Sequence, residues 1–172
     1  LYYVISNTSE INIPETVESI EVGALSGYSQ KAILNIPKGV KTIRTTFDNN
    51  NITQINVAEE NEYFKSLDGN LYNKDMTALY RYAQDEETFR MPNTVKAIME
   101  KAINYKSNLS QLILSSNLER IGIFAISSAS ITQLYLGEKV NYLTAVSFAN
   151  VNVTISEDNP NFKTEDGTII LN

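Results

Sequence analysis

The stretch ENEYFKSLDGNLYN, residues 60–73, returns near the other end of the chain as EDNPNFKTEDGTII, residues 157–170. At a constant offset of 98 residues, six identical pairs line up. They are Glu59 with Glu157, Asn61 with Asn159, Phe64 with Phe162, Lys65 with Lys163, Asp68 with Asp166, and Gly69 with Gly167. Agreement of this extent at one offset indicates an internal duplication, so the chain is built from repeats.

A shorter repeat surrounds these two copies. Its members are EINIPETVESIEVGAL (10–25), ILNIPKGVKTIRTTF (33–47), TFRMPNTVKAIMEKAI (88–103), QLILSSNLERIGIFAI (111–126) and QLYLGEKVNYLTAVSF (133–148). Two further units open at Ile55 and Val153, and all begin with an apolar-x-apolar pair. Successive units start 19 to 23 residues apart, except for a gap of 34 residues between Ile55 and Phe89. Units of this size cannot bury their apolar edges alone, and stacking them closes a shared core.

Each unit predicts a strand, a turn and a short second element. The apolar-x-apolar pair has the two-residue period of a strand. Pro14, Pro37 and Pro92 follow that pair directly, and proline cannot donate to a strand ladder, so the strand ends there. The short segments around Ala102 and Ala125 predict one turn of 3-10 or α-helix in each repeat.

The duplicated stretch predicts a small β-meander inserted into the solenoid near residues 58–85. Asp68-Gly69 is a typical two-residue type I′ hairpin loop between FKSL and NLYN. A second reversal near Asp75 leads into a third strand that ends at Tyr82. A second, partial insert starts near 156–172, so we expect the chain to be a fragment of a longer protein and to stop within this motif.

Composition limits the function classes that the chain can belong to. Of the 172 residues 42% are hydrophobic and 20% are charged, which is typical of a globular protein. The net charge of −6 disfavours nucleic acid as a partner, because phosphate binding needs clustered Lys and Arg. Without Cys or His, disulfides, the usual zinc sites and the commonest nucleophile–base pairs cannot form. No apolar run approaches the roughly 18 residues that span a membrane.

The repeat and the insert together resemble the BspA-like leucine-rich repeats of bacterial surface proteins. INIPETVESI (11–20) and LNIPKGVKTI (34–43) carry the repeat, and NEYFKSLDGNLYNKDMTALYRYA (61–83) carries the more specific insert. The resemblance covers nearly the whole chain from Glu10 onward. Met76 departs from this resemblance, because the family usually has Gly after Asp at that turn. The family's tail of small residues usually includes a Cys, which this chain lacks.

This resemblance implies a fold and a role. The implied fold is a β-rich α/β leucine-rich-repeat solenoid, a single domain over residues 1–172 with about seven coils. It would be a right-handed coil with short parallel strands on the concave face, short 3-10 or helical turns on the convex side, and the inserted meander. The implied role is a non-enzymatic, extracellular or cell-surface interaction module, in some members an adhesin, with no catalytic residue, metal or cofactor. We expect a monomer whose partner is an extracellular protein or glycan.

The repeat frame also predicts where a partner binds. In each apolar-x-apolar pair the flanking residues point inward and the middle one points outward. The predicted ligand-binding row on the concave face is Asn12, Asn35, Asn56, Arg90, Ile113, Tyr135 and Thr154. A parallel outward row is Glu10, Ile33, Gln54, Thr88, Gln111, Gln133 and Asn152. At about 4.8 Å per coil the row is roughly 30 Å long, which suits an extended partner.

Each of these predictions has a competing interpretation. The polar rows could simply keep a parallel sheet soluble, with Asn side chains bonded along the stack. Acidic clusters near Glu59 and Glu157 could suggest a Ca²⁺ site or a glycosidase pair, but turn chemistry explains Asp before Gly better. The domain could also be an accessory or catalytic part of a carbohydrate-active protein, or a passive spacer.

Overall fold

The computed structural model describes residues 8–25, 28–44, 51–127, 130–144, 148 and 151–172. Across these ranges the chain forms eighteen β-strands and no helix, so no described helix could cross a membrane. The strands are β1 (Glu10–Asn12), β2 (Ser19–Ile20), β3 (Ala32–Ile36), β4 (Thr42–Ile43), β5 (Ile52–Val57), β6 (Phe64–Leu67), β7 (Asn70–Asn73), β8 (Ala78–Arg81), β9 (Thr88–Arg90), β10 (Ala97–Ile98), β11 (Ile103–Asn104), β12 (Gln111–Ile113), β13 (Arg120–Ile121), β14 (Ile126–Ser127), β15 (Gln133–Leu136), β16 (Asn152–Ile155), β17 (Phe162–Glu165) and β18 (Thr168–Leu171).

The apolar-x-apolar pairs form a first row of parallel strands. In this row β1, β3 and β5 pair in the register Ile11–Leu34–Ile55, β9 pairs with β12, and β15 pairs with β16. Ile11, Leu34 and Ile55 are at most 4% exposed, because strand alternation turns them all to the interior. In the described residues seven strands of this row bound about six turns of a β-solenoid, where the sequence predicted about seven coils.

A hydrogen-bonded turn follows the first strand, and in five of the described coils the residue that closes it is aliphatic. In each turn one N–H donates to the carbonyl three residues earlier, over 3.0 to 3.4 Å. The donors are Val17, Val40, Val95, Leu118 and Val140. All five side chains are buried or half-buried, so the turn also returns the chain to the core for the next strand.

Two-residue strands form a second row, and the meander contributes to it. β2 pairs with β4, and β10 pairs with β13, with the isoleucine of each strand buried. β8 pairs in parallel with β10, in the register Leu79–Ile98, on the side opposite β13. The third strand of the meander therefore takes the place of a second-row strand, and the insert is part of a coil rather than an addition outside it.

Both copies of the duplicated stretch form antiparallel hairpins. β6 pairs with β7, β7 with β8, and β17 with β18. The turn residues Asp68 and Gly69 have φ of 49° and 72°, and Asp166 and Gly167 have φ of 48° and 73°. Positive φ at both central residues is the signature of a type I′ turn. Met76, where the family usually has Gly, also adopts a positive φ of 55° at the reversal before β8.

The helical turns predicted for the outer corner are not present in the described ranges. Three alanines there donate their N–H to the carbonyl three residues earlier, over 3.1 to 3.3 Å: Ala24, Ala102 and Ala125. The residue before each has a positive φ: 75° for Gly23, 53° for Lys101 and 49° for Phe124. A positive φ at the third position belongs to a type II β-turn and interrupts the right-handed backbone that a helix needs. The chain then continues as the paired strands β11 and β14.

A buried asparagine fastens the first hairpin to the preceding coil. The Asn61 amide donates to the carbonyls of Pro37 and Val40, each over 2.9 Å. Its Oδ1 accepts the N–H groups of Tyr63 and Phe64 over 2.9 and 2.8 Å. The side chain is fully buried, so both of its ends must be hydrogen-bonded to offset the cost of desolvation.

The second copy repeats this arrangement. The Asn159 amide donates to the carbonyls of Gly137 and Val140 over 2.9 and 3.0 Å. Its Oδ1 accepts the N–H groups of Asn161 and Phe162 over 2.8 and 2.9 Å. The asparagine and the phenylalanine therefore recur at an offset of 98 residues because each hairpin needs one polar and one apolar anchor on the coil beneath it.

The buried apolar side chains form two clusters that meet at the meander. Phe64 and Leu71 belong to the cluster that begins at Ile11, whereas Tyr72 and Leu79 belong to the cluster that extends to Phe162. Neighbouring residues of β7 thus serve both clusters through opposite faces of one strand. Within the repeat units, residues 45–47 and 145–147 lie outside the described residues.

Candidate functional site

The structure divides the predicted binding row into three groups of register neighbours. The groups are Asn12, Asn35 and Asn56; Arg90 and Ile113; and Tyr135 and Thr154. Asn35 and Ile113 are half-buried, and the other five side chains are exposed. Among the described strands no pairing joins β5 to β9 or β12 to β15, so two gaps interrupt the row.

The first group is a ladder of mutually bonded amides. The Asn35 Nδ2 donates to Asn12 Oδ1, and the Asn56 Nδ2 donates to Asn35 Oδ1, each over 2.8 Å. The Gln54 Nε2 donates to Asn56 Oδ1 over the same distance. These groups satisfy one another along the stack, so the ladder favours a structural role for the three asparagines over a ligand-binding one.

The second and third groups carry side chains that are not tied to one another. Within the described residues the Arg90 guanidinium takes part in no ion pair or side-chain hydrogen bond, and Tyr135 is 60% exposed. Arginine and tyrosine are the residue types that most often anchor protein interfaces. This part of the row is therefore better suited to a partner than the amide ladder.

A hollow of about 550 Å³ lies beside Arg90, at the gap between β5 and β9. Its lining is mainly polar and includes Gln54, Gln84 and Thr88 as well as Arg90. We call it the Arg90 hollow. An arginine at the rim of a polar hollow can donate several hydrogen bonds to a ligand in a fixed geometry.

The turn of the first hairpin creates this gap. The Ile55 N–H donates to the Gly69 carbonyl over 2.8 Å, so the turn occupies the edge of β5 where another strand would pair. A Cβ at Gly69 would lie 2.4 Å from Gln84 Nε2 and 3.2 Å from Gln54 Cγ. The Gln84 Nε2 also donates to the Asp68 carbonyl over 3.1 Å. The hairpin therefore both interrupts the row and shapes the hollow.

A second hollow, of about 570 Å³, lies at the gap between β12 and β15. Ile113 and Tyr135 line it together with Ser115, Ser116 and Glu138. We call it the Tyr135 hollow. The two hollows lie on either side of the β9–β12 pair, so Arg90, Ile113 and Tyr135 form a surface with a recess at each end, polar beside Arg90 and mainly apolar beside Tyr135.

The second row carries a similar pair of residue types in a different setting. The Arg120 guanidinium lies 4.1 Å from the centre of the Tyr142 ring, a cation–π contact. Lys96 and Glu119 form an ion pair of 3.2 Å on the same row. Arg120 and Tyr142 thus satisfy each other, in contrast to Arg90 and Tyr135.

Two buried basic residues, one on the third strand of the meander and one on the next coil, were not predicted from the sequence. Arg81 is fully buried and Lys106 is 1% exposed. Arg81 Nη1 donates to Asn104 Oδ1, and Lys106 Nζ donates to the Ala83 carbonyl over 2.7 Å and lies 5.6 Å from the centre of the Tyr82 ring. Burial, together with the nearby charge of Arg81, lowers the pKa of Lys106 to about 7.

Asp85 partly opposes this shift in the pKa of Lys106. Its carboxylate accepts the Asn108 N–H over 3.1 Å and the Ser107 hydroxyl over 3.3 Å, which holds it at the edge of the buried region. No sequence pattern separates Lys106 from the exposed lysines of the chain, because its burial results from stacking on the preceding coil.

The acidic clusters have structural positions in turns. Glu59 and Glu60 are exposed turn residues, and Asp68 and Asp166 occupy positive-φ positions of hairpin turns. In the part of the chain that the structure describes, no three acidic side chains come together in a way that could hold a metal ion.

Comparison with known proteins identifies the repeat. Six copies of the BspA type leucine rich repeat region match residues 1–73 and 70–154. The chain belongs to the BspA type leucine-rich-repeat family. None of the curated proteins that were compared matches it.

Solved structures share the fold of this BspA type repeat chain. A leucine-rich repeat protein from Eubacterium ventriosum is 18% identical, with a TM-score of 0.56 over 86% of this chain and 55% of that one. A leucine rich cell surface protein from Faecalibacterium prausnitzii is 20% identical, with a TM-score of 0.61 over 81% and 45%. The pneumococcal vaccine antigen PcpA is 22% identical, with a TM-score of 0.54 over 88% and 52%. The chain thus spans about half the length of each of them.

Proposed function

We propose that this chain is a non-enzymatic interaction module of a bacterial cell-surface or secreted protein, with an adhesin-like role. Membership of the BspA type family supports the proposal. Of the similar structures, one is described as a cell surface protein and another as a vaccine antigen, and both descriptions fit a surface location. We take the first strand row as the concave, partner-facing side of a right-handed coil, and the partner as an extracellular protein or glycan.

The observation that carries the proposal is the contrast within the first row. Asn12, Asn35 and Asn56 use their amides on each other, whereas Arg90 has no side-chain partner among the described residues and Tyr135 is largely exposed. A solvated sheet does not need an exposed arginine and tyrosine between two recesses, but an interface does. We therefore narrow the predicted site to Arg90, Ile113 and Tyr135, with the asparagines and Thr154 at its margins.

The experiment is a binding screen followed by a matched pair of double variants. The intact chain is tested against matrix proteins, mucins and bacterial surface glycans. For any ligand found, Arg90→Ala/Tyr135→Ala is compared with Arg120→Ala/Tyr142→Ala, which removes the same residue types from the second row. Loss of two interface anchors should weaken binding by roughly a hundredfold or more, and the control should bind like the wild type.

Each other outcome counts against the proposal in a defined way. If both double variants lose affinity equally, the loss comes from general destabilisation and the first-row site is wrong. If a folded chain binds nothing in the screen, a passive spacer is favoured. Cleavage of a polysaccharide in the same screen would instead favour the carbohydrate-active alternative.

A further inference from the structure

Charged side chains of both signs line the Arg90 hollow without pairing. Asp68 and Glu86 contribute to it together with Arg90, and all three are exposed. In the part of the chain that the structure describes, no ion pair joins Arg90 to either carboxylate. Neither carboxylate accepts a hydrogen bond from another described residue. A ligand in the hollow would therefore meet unused donors and unused acceptors together.

Two glutamine side chains at the hollow are held in place through their NH₂ groups. The Gln54 Nε2 donates to Asn56 Oδ1 over 2.8 Å, and the Gln84 Nε2 donates to the Asp68 carbonyl over 3.1 Å. Within the described ranges their Oε1 atoms accept no hydrogen bond. Each glutamine can therefore accept a hydrogen bond from a ligand and keep the contact that positions it.

The segment that carries Glu86 is fastened to the first hairpin. Asn70 Oδ1 accepts the Ala83 N–H over 2.8 Å, and the Tyr82 hydroxyl accepts the Glu86 N–H over 3.1 Å. The Tyr82 ring stacks on Phe89, with ring centres 4.3 Å apart and planes at 18°. These contacts fix the lining before a ligand arrives, which reduces the entropy that binding costs.

The mixture of charges disfavours charged ligands. An anion would gain from Arg90 but would face the carboxylates of Asp68 and Glu86, and a cation would meet the opposite arrangement. The net charge of −6 further opposes an anion. A neutral ligand whose groups both donate and accept hydrogen bonds can use all three side chains, and a hydroxyl group does both.

An extended peptide suits this position less well than a sugar. A peptide strand binds a sheet edge through its main chain. On the β5 side of the hollow that edge is occupied, because the Ile55 N–H donates to the Gly69 carbonyl. The hollow therefore offers mainly side-chain groups. Its volume of about 550 Å³ lies within the range of about 300–1,000 Å³ that is usual for sites of small organic ligands.

We propose that the Arg90 hollow binds a neutral sugar unit of a glycan through its free hydroxyl groups. Arg90 donates to the sugar oxygens, and the carboxylates of Asp68 and Glu86 accept from its hydroxyls. The Oε1 atoms of Gln54 and Gln84 accept from further hydroxyls. This inference rests on the interaction role proposed above, and it narrows the partner at this hollow to a neutral glycan.

The test uses the full 172-residue chain and a panel of neutral di- and trisaccharides. The panel contains glucose, galactose, mannose, fucose and N-acetylated hexosamines. Amide chemical shifts locate each sugar on the chain and give its dissociation constant. We expect at least one sugar to bind with a dissociation constant on the order of 1 mM, because small polar ligands bind weakly at open sites. The shifts should be concentrated in residues 68–70 and 82–90.

Two modified forms of the sugar that binds test the chemistry of recognition. Permethylation removes the hydroxyl donors and keeps the oxygens, so the permethylated form should lose binding. A sulfated form places a negative charge against Asp68 and Glu86 and should bind at least about tenfold more weakly. Equal or tighter binding of the sulfated form would overturn the proposal.

Matched substitutions test the position of the site. Glu86→Gln should weaken sugar binding about tenfold or more, because a charged acceptor is lost. Glu87→Gln makes the same change at the next residue, which is exposed but does not line the hollow, and it should bind like the wild type. Asp68→Asn keeps a sequence that favours the type I′ turn and should also weaken binding, whereas Asp166→Asn in the second hairpin should not.

The outcomes separate this inference from the proposed function. If no neutral sugar binds but a matrix protein binds in a way that depends on Arg90, the sugar site is wrong and the interaction role stands. If Glu86→Gln and Glu87→Gln bind the sugar equally well, the sugar lies elsewhere and the proposal is wrong. If neither a sugar nor any ligand of the earlier screen binds the folded chain, both proposals fail.

Discussion

Replacing Asn61 tests whether one buried side chain fastens the duplicated hairpin to the solenoid. In Asn61→Ala the carbonyls of Pro37 and Val40 and the N–H groups of Tyr63 and Phe64 each lose a partner in the interior. Each buried group left unsatisfied costs about 1–3 kcal/mol, and some relaxation is expected. We therefore expect the free energy of unfolding to fall by about 3–5 kcal/mol, measured by urea titration.

The Asn61→Asp variant adds a signature that simple loss of packing would not give. A carboxylate can still accept both N–H groups, but its second oxygen faces the carbonyls of Pro37 and Val40 without a proton to donate. Burial and those carbonyls should raise the pKa of the new carboxyl above its unfolded value of about 3.9. Its destabilising effect is then small below that value and grows as the pH rises through the folded pKa.

The controls for this prediction lie within the chain. Asn159→Ala removes the same four bonds from the second hairpin and should cost a similar amount. Asn12→Ala removes an exposed amide at the end of the ladder and should cost about 0.5 kcal/mol or less. The reasoning fails if Asn61→Ala lies within 1 kcal/mol of the wild type, or if the difference between Asn61→Asp and Asn61→Ala does not change between about pH 4 and pH 7.

Two further predictions concern a buried charge and a turn. Burial lowers the pKa of Lys106 to about 7 from its ordinary value of 10.5. The unfolded chain therefore binds one more proton between these two values, and wild-type stability should rise with pH across that window. The reference is the Lys106→Met variant, whose side chain does not titrate. Relative to it, the free energy of unfolding of the wild type, measured by denaturant titration, should rise by on the order of 4 kcal/mol between about pH 6 and pH 10. The prediction is contradicted if the two proteins show the same dependence of unfolding free energy on pH. Gly69→Ala and Gly167→Ala carry the same positive-φ strain, but only the first places a Cβ against Gln84, and nothing lies within 4 Å of the second. Gly69→Ala should therefore lower the free energy of unfolding by about 1 kcal/mol more than Gly167→Ala, and equal losses would show that the Gln84 contact is unimportant.

The sequence predicted those features that depend on local pattern. The apolar-x-apolar pairs predicted the register of the first strand row from Ile11 to Ile55. With a two-residue period and a fixed repeat, only one alignment of neighbouring strands buries the apolar side chains of every unit. Asp68-Gly69 gave the position of a hairpin, because few residue pairs tolerate positive φ twice in succession. The short helical turns were wrong because positive φ at Lys101 and Phe124 has no sequence signal in residues other than Gly, Asn and Asp.

What the sequence could not give depends on contacts between coils. The continuous binding row fails at β5, where the hairpin turn takes the strand edge through the Gly69 carbonyl, and no local pattern reveals which edge a turn will occupy. The burial of Lys106 is of the same kind, since it is fixed by the Ala83 carbonyl of the preceding coil. The interrupted row and the burial of Lys106 therefore both depend on how one coil contacts the next.

Under the proposed function, the first hairpin would contribute to recognition as well as to stability. Where the first strands pair without interruption, Asn12, Asn35 and Asn56 form a ladder whose amides are already used. By placing a turn against β5, the first hairpin ends that ladder, so Arg90 has Ile113 as its register neighbour on one side and a recess on the other. Removing the interruption should remove the recess. If Arg90 proves to matter for binding, the cause will lie in the hairpin two elements away as much as in the arginine itself.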